Sequence, residues 1–176
     1  MRKFIVISIV LLMLAGFAIT SSAMEVDLVV GRKLIPVGTL TVEIVSGNLV
    51  ITYAMNPVVP DEEGWELLET HLYVGIDPPT KSAPGQFPYG PESEYATDDG
   101  YSIPLSVLPV LPSGSDSYFI AAQAEIGKID DEGEPVLDNP DPEIGEQIEE
   151  TTWAKSDDEI RPGKNWAMYF EFVVVE

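Results

Sequence analysis

The sequence predicts an all-β fold, a single antiparallel β-sandwich with one long proline-rich loop. Three observations predict it. Short runs rich in Val, Ile, Thr, Tyr and Phe recur after residue 23, each bounded by Gly, Pro, Asn, Asp or Ser. No segment after residue 23 sustains a helical apolar period for more than a turn or two. No repeat of roughly 20 to 50 residues is visible, which sets propellers and solenoids aside.

The N-terminus is of a different kind. A basic head (Arg2, Lys3), an apolar run from Phe4 to Ala18 and a small-residue end at Ser21, Ser22 and Ala23 describe a helical signal peptide, with cleavage expected after Ala23. The run is shorter than the roughly 20 residues of a membrane span, although apolar character continues through Ile19, so a retained tilted anchor is the competing reading. No cysteine follows, which excludes a lipid on an N-terminal cysteine. The domains expected are therefore the signal peptide, 1–23, and one acidic sandwich, 24–176. The second is long enough to bury a real core.

Within the sandwich, Val26–Val30 reads as a short apolar strand. Thr39–Val45 and Leu49–Ala54 form a hairpin about the Ser46-Gly47-Asn48 turn. Trp65–Gly75 is a long strand. Strict alternation assigns Leu68, Thr70, Leu72 and Val74 to one face and Trp65, Leu67, Glu69, His71 and Tyr73 to the other. From Ile76 to Gly100 runs the proline-rich loop, which Phe87 and Tyr89 would anchor over the sandwich. Tyr101–Leu105 is a short strand, its Pro104 suited to an edge. Tyr118–Gly127 is a strand whose small residues Ala121, Ala122 and Ala124 leave room for Trp153 or Trp166 above them. Asp130–Glu149 reads as a solvated acidic loop. Thr151–Ala154 is a short strand. Asn165–Val175 closes the fold as a strand with Trp166, Met168, Phe170, Phe172 and Val174 on one face.

Charge and composition restrict function. The chain carries −21, and loss of Arg2 and Lys3 with the leader makes this −23. Nucleic acid and anionic membrane surfaces are therefore excluded as partners. Screening by salt or binding of divalent cations would relieve the self-repulsion. There is no cysteine, so stability rests on the core, on ions or on assembly. No Asn-x-Ser/Thr acceptor site is present either, and both facts point to a prokaryotic exporter.

His71 is the only histidine. A nucleophile needs a base beside it, and with no cysteine and no Gly-x-Ser-x-Gly turn, His71 on a strand has no local signature of one. Glu69 and His71, two residues apart on one strand face, are candidate ligands for a metal or small molecule if Gln123 or Glu125 joins them. The plainer reading is a structural hydrogen bond between the two. Asp130, Asp131, Asp138 and Asp141 supply hard oxygen donors in turns, which suits calcium. The twelve-residue helix-loop-helix pattern is absent, and a solvated loop is the plainer reading. Phe87, Tyr89, Trp153 and Trp166 are candidates for a sugar-stacking platform, set against the ordinary role of aromatics as core. Any one carboxylate pair among 30 acidic residues is uninformative about glycoside cleavage.

Four pieces occur in order: Pro36–Val42 (PVGTLTV), Trp65–Gly75 (WELLETHLYVG), Pro84–Tyr89 (PGQFPY) and Pro162–Phe170 (PGKNWAMYF). Phe119–Ala124 (FIAAQA) and Glu150–Ala154 (ETTWA) stand between the last two. On these motifs nearly all of residues 24–176 resembles an uncharacterised family of secreted and cell-surface prokaryotic β-domains. The resemblance implies an extracellular β-domain, often one unit of a larger surface protein, and no activity. Gln123 departs from it, standing where the family pattern has a histidine, which weakens a two-histidine metal site. The acidic loop is also longer than the pattern, which marks it as particular to this chain.

The function expected is a non-catalytic extracellular or cell-surface module for adhesion, ligand binding or surface structure, with extracellular polysaccharide or surface proteins as partners. A secreted carbohydrate-active hydrolase with paired carboxylates is the alternative. A structural subunit that exchanges strands through Val26–Val30 or Phe170–Val175 is a further one.

Overall fold

The computed structural model describes residues 23–91, 96–97, 100–139 and 145–174. The signal-peptide helix predicted within 1–23 lies, except for Ala23, outside the described residues. Among those described, the chain is all-β and antiparallel, as predicted from the short β-prone runs. The strands are β1 (Met24–Val30), β2 (Ile35–Val45), β3 (Asn48–Met55), β4 (Gly64–Gly75), β5 (Ala96–Thr97), β6 (Gly100–Pro104), β7 (Ser117–Ile129), β8 (Glu149–Ala154), β9 (Asp158–Glu159) and β10 (Met168–Val173). They form one sheet in the order β5-β6-β3-β2-β1-β8-β7-β10-β9, with β4 on the free side of β7.

The continuous sheet folds over on itself to make the two layers. Leu40, Ile51, Tyr53 and Ile103 from β2, β3 and β6 share a core with Leu72, Ile120, Ala122 and Phe170 from β4, β7 and β10. Burying each large side chain contributes about 1.5–3 kcal/mol, and this term carries the fold in a chain without disulfides. Two tyrosine hydroxyls join the layers. Tyr53 donates to the carbonyl of His71 (3.1 Å) and Tyr101 to that of Thr70 (2.8 Å).

The β2–β3 hairpin turns more tightly than predicted. Val45 pairs with Asn48, so only Ser46 and Gly47 form the turn, both with positive φ (51° and 80°). That is the two-residue geometry whose twist matches the strands. Val26–Val30 is not an edge. It lies inside the sheet, paired with β2 along its length on one side, and on the other Leu28–Val30 pairs with β8 and the Asp27 carbonyl accepts from Lys155 N–H. Phe170–Val173 pairs with β7, and Met168–Tyr169 with β9.

Strict alternation fails in β4. Leu67 pairs with Ile126 and Glu69 with Glu125, so Leu68 is an extra residue in a β-bulge. The bulge reverses the faces. Trp65 and Leu67 before it and Leu72 and Val74 after it all pack on the main core, while Leu68 is 43 % exposed. Glu69, His71 and Tyr73 are thereby directed to the outer face.

Part of the predicted acidic loop pairs with β7 and with itself. Lys128 N–H donates to Ile148 O, Val136 N–H to Lys128 O and Ile148 N–H to Val136 O, so the chain after β7 extends the sheet. Gln147 fastens it with bonds to Glu66 Oε1 (3.0 Å) and Lys128 O (3.1 Å). The closing strand starts three residues later than predicted. Residues 161–165 form a turn around the positive-φ Gly163 (74°), and Trp166 precedes β10.

Candidate functional site

The outer face carries a second apolar cluster. Val29, Ala121, Trp153, Ala167 and Met168 are buried there, with Tyr73, Phe87 and Trp166 packed half-buried against them. Of the three alanines read as making room, only Ala121 lies under Trp153. Ala122 and Ala124 face the main core.

The 84–91 segment forms one cover of this face. Pro84–Gln86 is a single 3-10 turn, after which Tyr89 pairs with Leu72. Leu72 N–H donates to Tyr89 O (2.8 Å) and Tyr89 N–H to Leu72 O (3.2 Å), so the loop acts as a short strand along β4. Regular alternation would put Phe87 and Tyr89, two residues apart, on one face. The pairing reaches only Tyr89, however, and on the other side of Pro88 Phe87 lies on the outer face, edge-on to Trp153 at 6.1 Å and near Tyr73 at 6.1 Å. Tyr89 goes to the core face, edge-on to Tyr101 at 6.3 Å. The aromatics predicted to form one platform are thus divided. Phe87 and Trp153 meet, Tyr89 lies on the opposite face, and Trp166 lines a different cleft. Tyr73 donates to the Asp77 carbonyl (2.7 Å). Burial pushes its phenol up, with the Asp77 charge adding to the effect.

Glu69, His71 and Gln123 do come together. His71 is buried, and its Nε2 lies 3.1 Å from Glu69 Oε1. A carboxylate only accepts, so Nε2 carries the proton of this contact, and in the neutral imidazole Nδ1 is then the acceptor. Gln123 is the cross-strand neighbour of His71 on β7, and Trp153 is its neighbour on β8. Gln123 is 1 % exposed and its Oε1 is buried without a hydrogen-bond partner.

Above these residues lies an open cleft of about 630 Å³, bounded by Leu68, Glu69, His71, Phe87, Pro88 and Gly90, among others. Gly90 matters to it. A Cβ at that position would touch Nδ1 of His71 at 3.5 Å, so the glycine leaves this edge of the imidazole open. The site thus offers an oriented acceptor and a carboxylate beside apolar walls. No signal in the sequence pointed to Gly90 or Leu68. Both gained their roles through the bulge and the pairing of Tyr89 with Leu72.

The carboxylates predicted for calcium are directed elsewhere. Asp130 Oδ1 accepts from the N–H groups of Glu132 (3.0 Å) and Glu134 (2.9 Å), and Asp138 Oδ1 from that of Glu146 (3.0 Å). Asp131 Oδ2 accepts from Asp61 N–H (3.1 Å). Asp141 lies outside the described residues. Among the described residues no group of three or more His, Cys, Asp or Glu side chains is placed to hold a metal ion. Glu69 and Glu125 pair across β4 and β7, but Glu125 is exposed and Glu69 is 41 % exposed. Among the described residues no helix is long and apolar enough to cross a membrane.

Comparison with protein-family models, curated proteins and solved structures gives no match to this chain.

Proposed function

We propose that this chain is a non-catalytic extracellular or cell-surface β-sandwich module that holds a ligand in the cleft above β4. The observation that carries the reading is His71. Glu69 occupies one of its ring nitrogens, and Gly90 leaves the other open to the cleft. A histidine serving only the core would have both nitrogens satisfied inside it. The partner of His71 is the Glu69 carboxylate, which orients the ring. The signal-peptide pattern and the resemblance of the β4 and PGQFPY motifs support an extracellular setting, and both motifs contribute walls of this cleft.

The test is co-sedimentation of the exported protein with washed envelopes of the producing organism, with N-terminal sequencing and an assay for released reducing sugar. We expect a mature chain beginning at Met24, retention on the envelopes, and no sugar release. Gly90→Ala, whose methyl group fits without collision, is expected to weaken retention about tenfold, the effect of about 1.4 kcal/mol of lost binding. Equal retention of wild type and variant, or release of reducing ends, would sink the reading.

A further inference from the structure

A second cleft opens at the other end of the outer cluster, between the β1–β2 turn and the 156–168 segment. Its volume is about 400 Å³, and Arg32, Asp157, Glu159, Lys164, Asn165 and Trp166 stand around it. That lies within the range of small-ligand pockets, about 300–1,000 Å³.

Three observations set it apart. After residue 23 the chain has seven Lys and Arg against thirty Asp and Glu, yet Arg32 and Lys164 line this one cleft. Neither forms an ion pair among the described residues, although Asp157 and Glu159 share the cleft with them. Glu159 accepts instead from Gly163 N–H at 3.0 Å. Secondly, Asn165 Oδ1 is buried and has no hydrogen-bond partner among the described residues. Such an atom destabilises the fold until a donor reaches it. Thirdly, Trp166 is half-buried, packed against the outer cluster and also lining the cleft.

Donors and acceptors thus share the cleft with an indole, and the formal charges of Arg32, Lys164, Asp157 and Glu159 cancel. A simple anion would meet Asp157, Glu159 and the field of a chain at −21. A simple cation would meet Arg32 and Lys164. Hydroxyl groups both donate and accept, and a pyranose ring adds an apolar C–H face for the indole. We propose that this cleft binds a neutral hexopyranose unit, free or within a polysaccharide. It is distinct from the cleft above β4 and does not depend on it.

The exported protein would be run on native gels containing dextran, a β-1,3-glucan, galactomannan or polygalacturonate. Retardation by at least one neutral polymer is expected. Arg32→Ala, at an exposed position, and Asn165→Ala should each weaken it about tenfold, again near 1.4 kcal/mol, with the melting temperature of Arg32→Ala unchanged. Gly90→Ala should leave it intact. Competition by free glucose, galactose or mannose tells whether one ring suffices or a chain is needed, and either result supports the site. The inference is overturned if no neutral polymer retards the protein, or if only polygalacturonate does so and salt abolishes it. It is overturned equally if Arg32→Ala and Asn165→Ala leave retardation unchanged. Loss in Gly90→Ala alone would assign the binding to the β4 cleft and leave the preceding proposal standing.

Discussion

The hydroxyl of Tyr53 in β3 donates to the backbone carbonyl of His71 in β4, 3.1 Å away across the core. The only histidine of the chain is thus held from both sides of its sheet, by Tyr53 at its backbone and by Glu69 at its ring. Tyr101 repeats the contact at Thr70, and the two tyrosine rings meet edge to face at 6.3 Å. Tyr53→Phe keeps the ring and removes the donor. It should cost about 1–2 kcal/mol, and Tyr101→Phe a similar amount. Because the rings touch, the double variant should lose a sum that departs from additivity. Urea melts of the four proteins measure this, and additive losses within error would count against coupling of the two contacts.

The same tyrosines predict an alkaline limit to stability. Burial, with the neighbouring phenol of Tyr101 adding to it, pushes Tyr53 well above its ordinary value of 10.0, and burial raises Tyr101 as well. Above about pH 10 the unfolded phenols release protons that the folded ones retain, so the folded state binds more protons. Stability should be level below pH 10 as far as these groups are concerned, and fall as pH rises through their folded values. Denaturant midpoints measured between about pH 8 and 11 should show the fall, with a shallower slope in Tyr53→Phe.

Backbone crowding separates glycines that look alike in sequence. A Cβ at Gly38 would collide with the Ala54 carbonyl, and one at Gly100 with that of Ile51, both across strand pairs. Gly85 has open space around it. Gly38→Ala and Gly100→Ala should each cost about 1–3 kcal/mol, whereas Gly85→Ala should change the melting temperature little. Thermal melts of the three variants decide this.

Charge sets the response to salt. With 30 acidic side chains against nine basic ones, sodium chloride should raise the melting temperature by screening self-repulsion. Asp130, Asp131 and Asp138 already serve backbone N–H groups, so calcium chloride at matched ionic strength should do no more than sodium chloride. A rise specific to calcium would show that these carboxylates leave their turns for an ion.

Thr152 is fully buried in β8, and its Oγ1 donates to the Val29 carbonyl at 2.8 Å, tying β8 to β1. Thr152→Val keeps the shape and removes the donor. About 1 kcal/mol of stability should be lost. A neutral result in a urea melt would mean that the strand ladder alone holds β1 against β8.

The sequence by itself determined the fold class, because β-branched and aromatic runs between turn residues are local signals that need no partner to be read. The β2–β3 hairpin, the long β4 and β7 strands and the anchoring role of the PGQFPY loop all follow from that short-range information. Adjacent residues also announced Glu69 and His71 as a pair. What only the tertiary structure decided depends on register. One extra residue at Leu68 exchanges the faces of β4, since side chains alternate with period two. That slip brings Trp65 into the core. The pairing of Tyr89 with Leu72 then puts Tyr89 on the core face and Gly90 beside His71, while Phe87, which regular alternation would place with Tyr89, lies on the outer face against Trp153. The cleft of Arg32, Asn165 and Trp166 has the same origin. Its residues are more than a hundred positions apart, and hydrogen bonding among β1, β8, β7 and β10 is what brings them to one place.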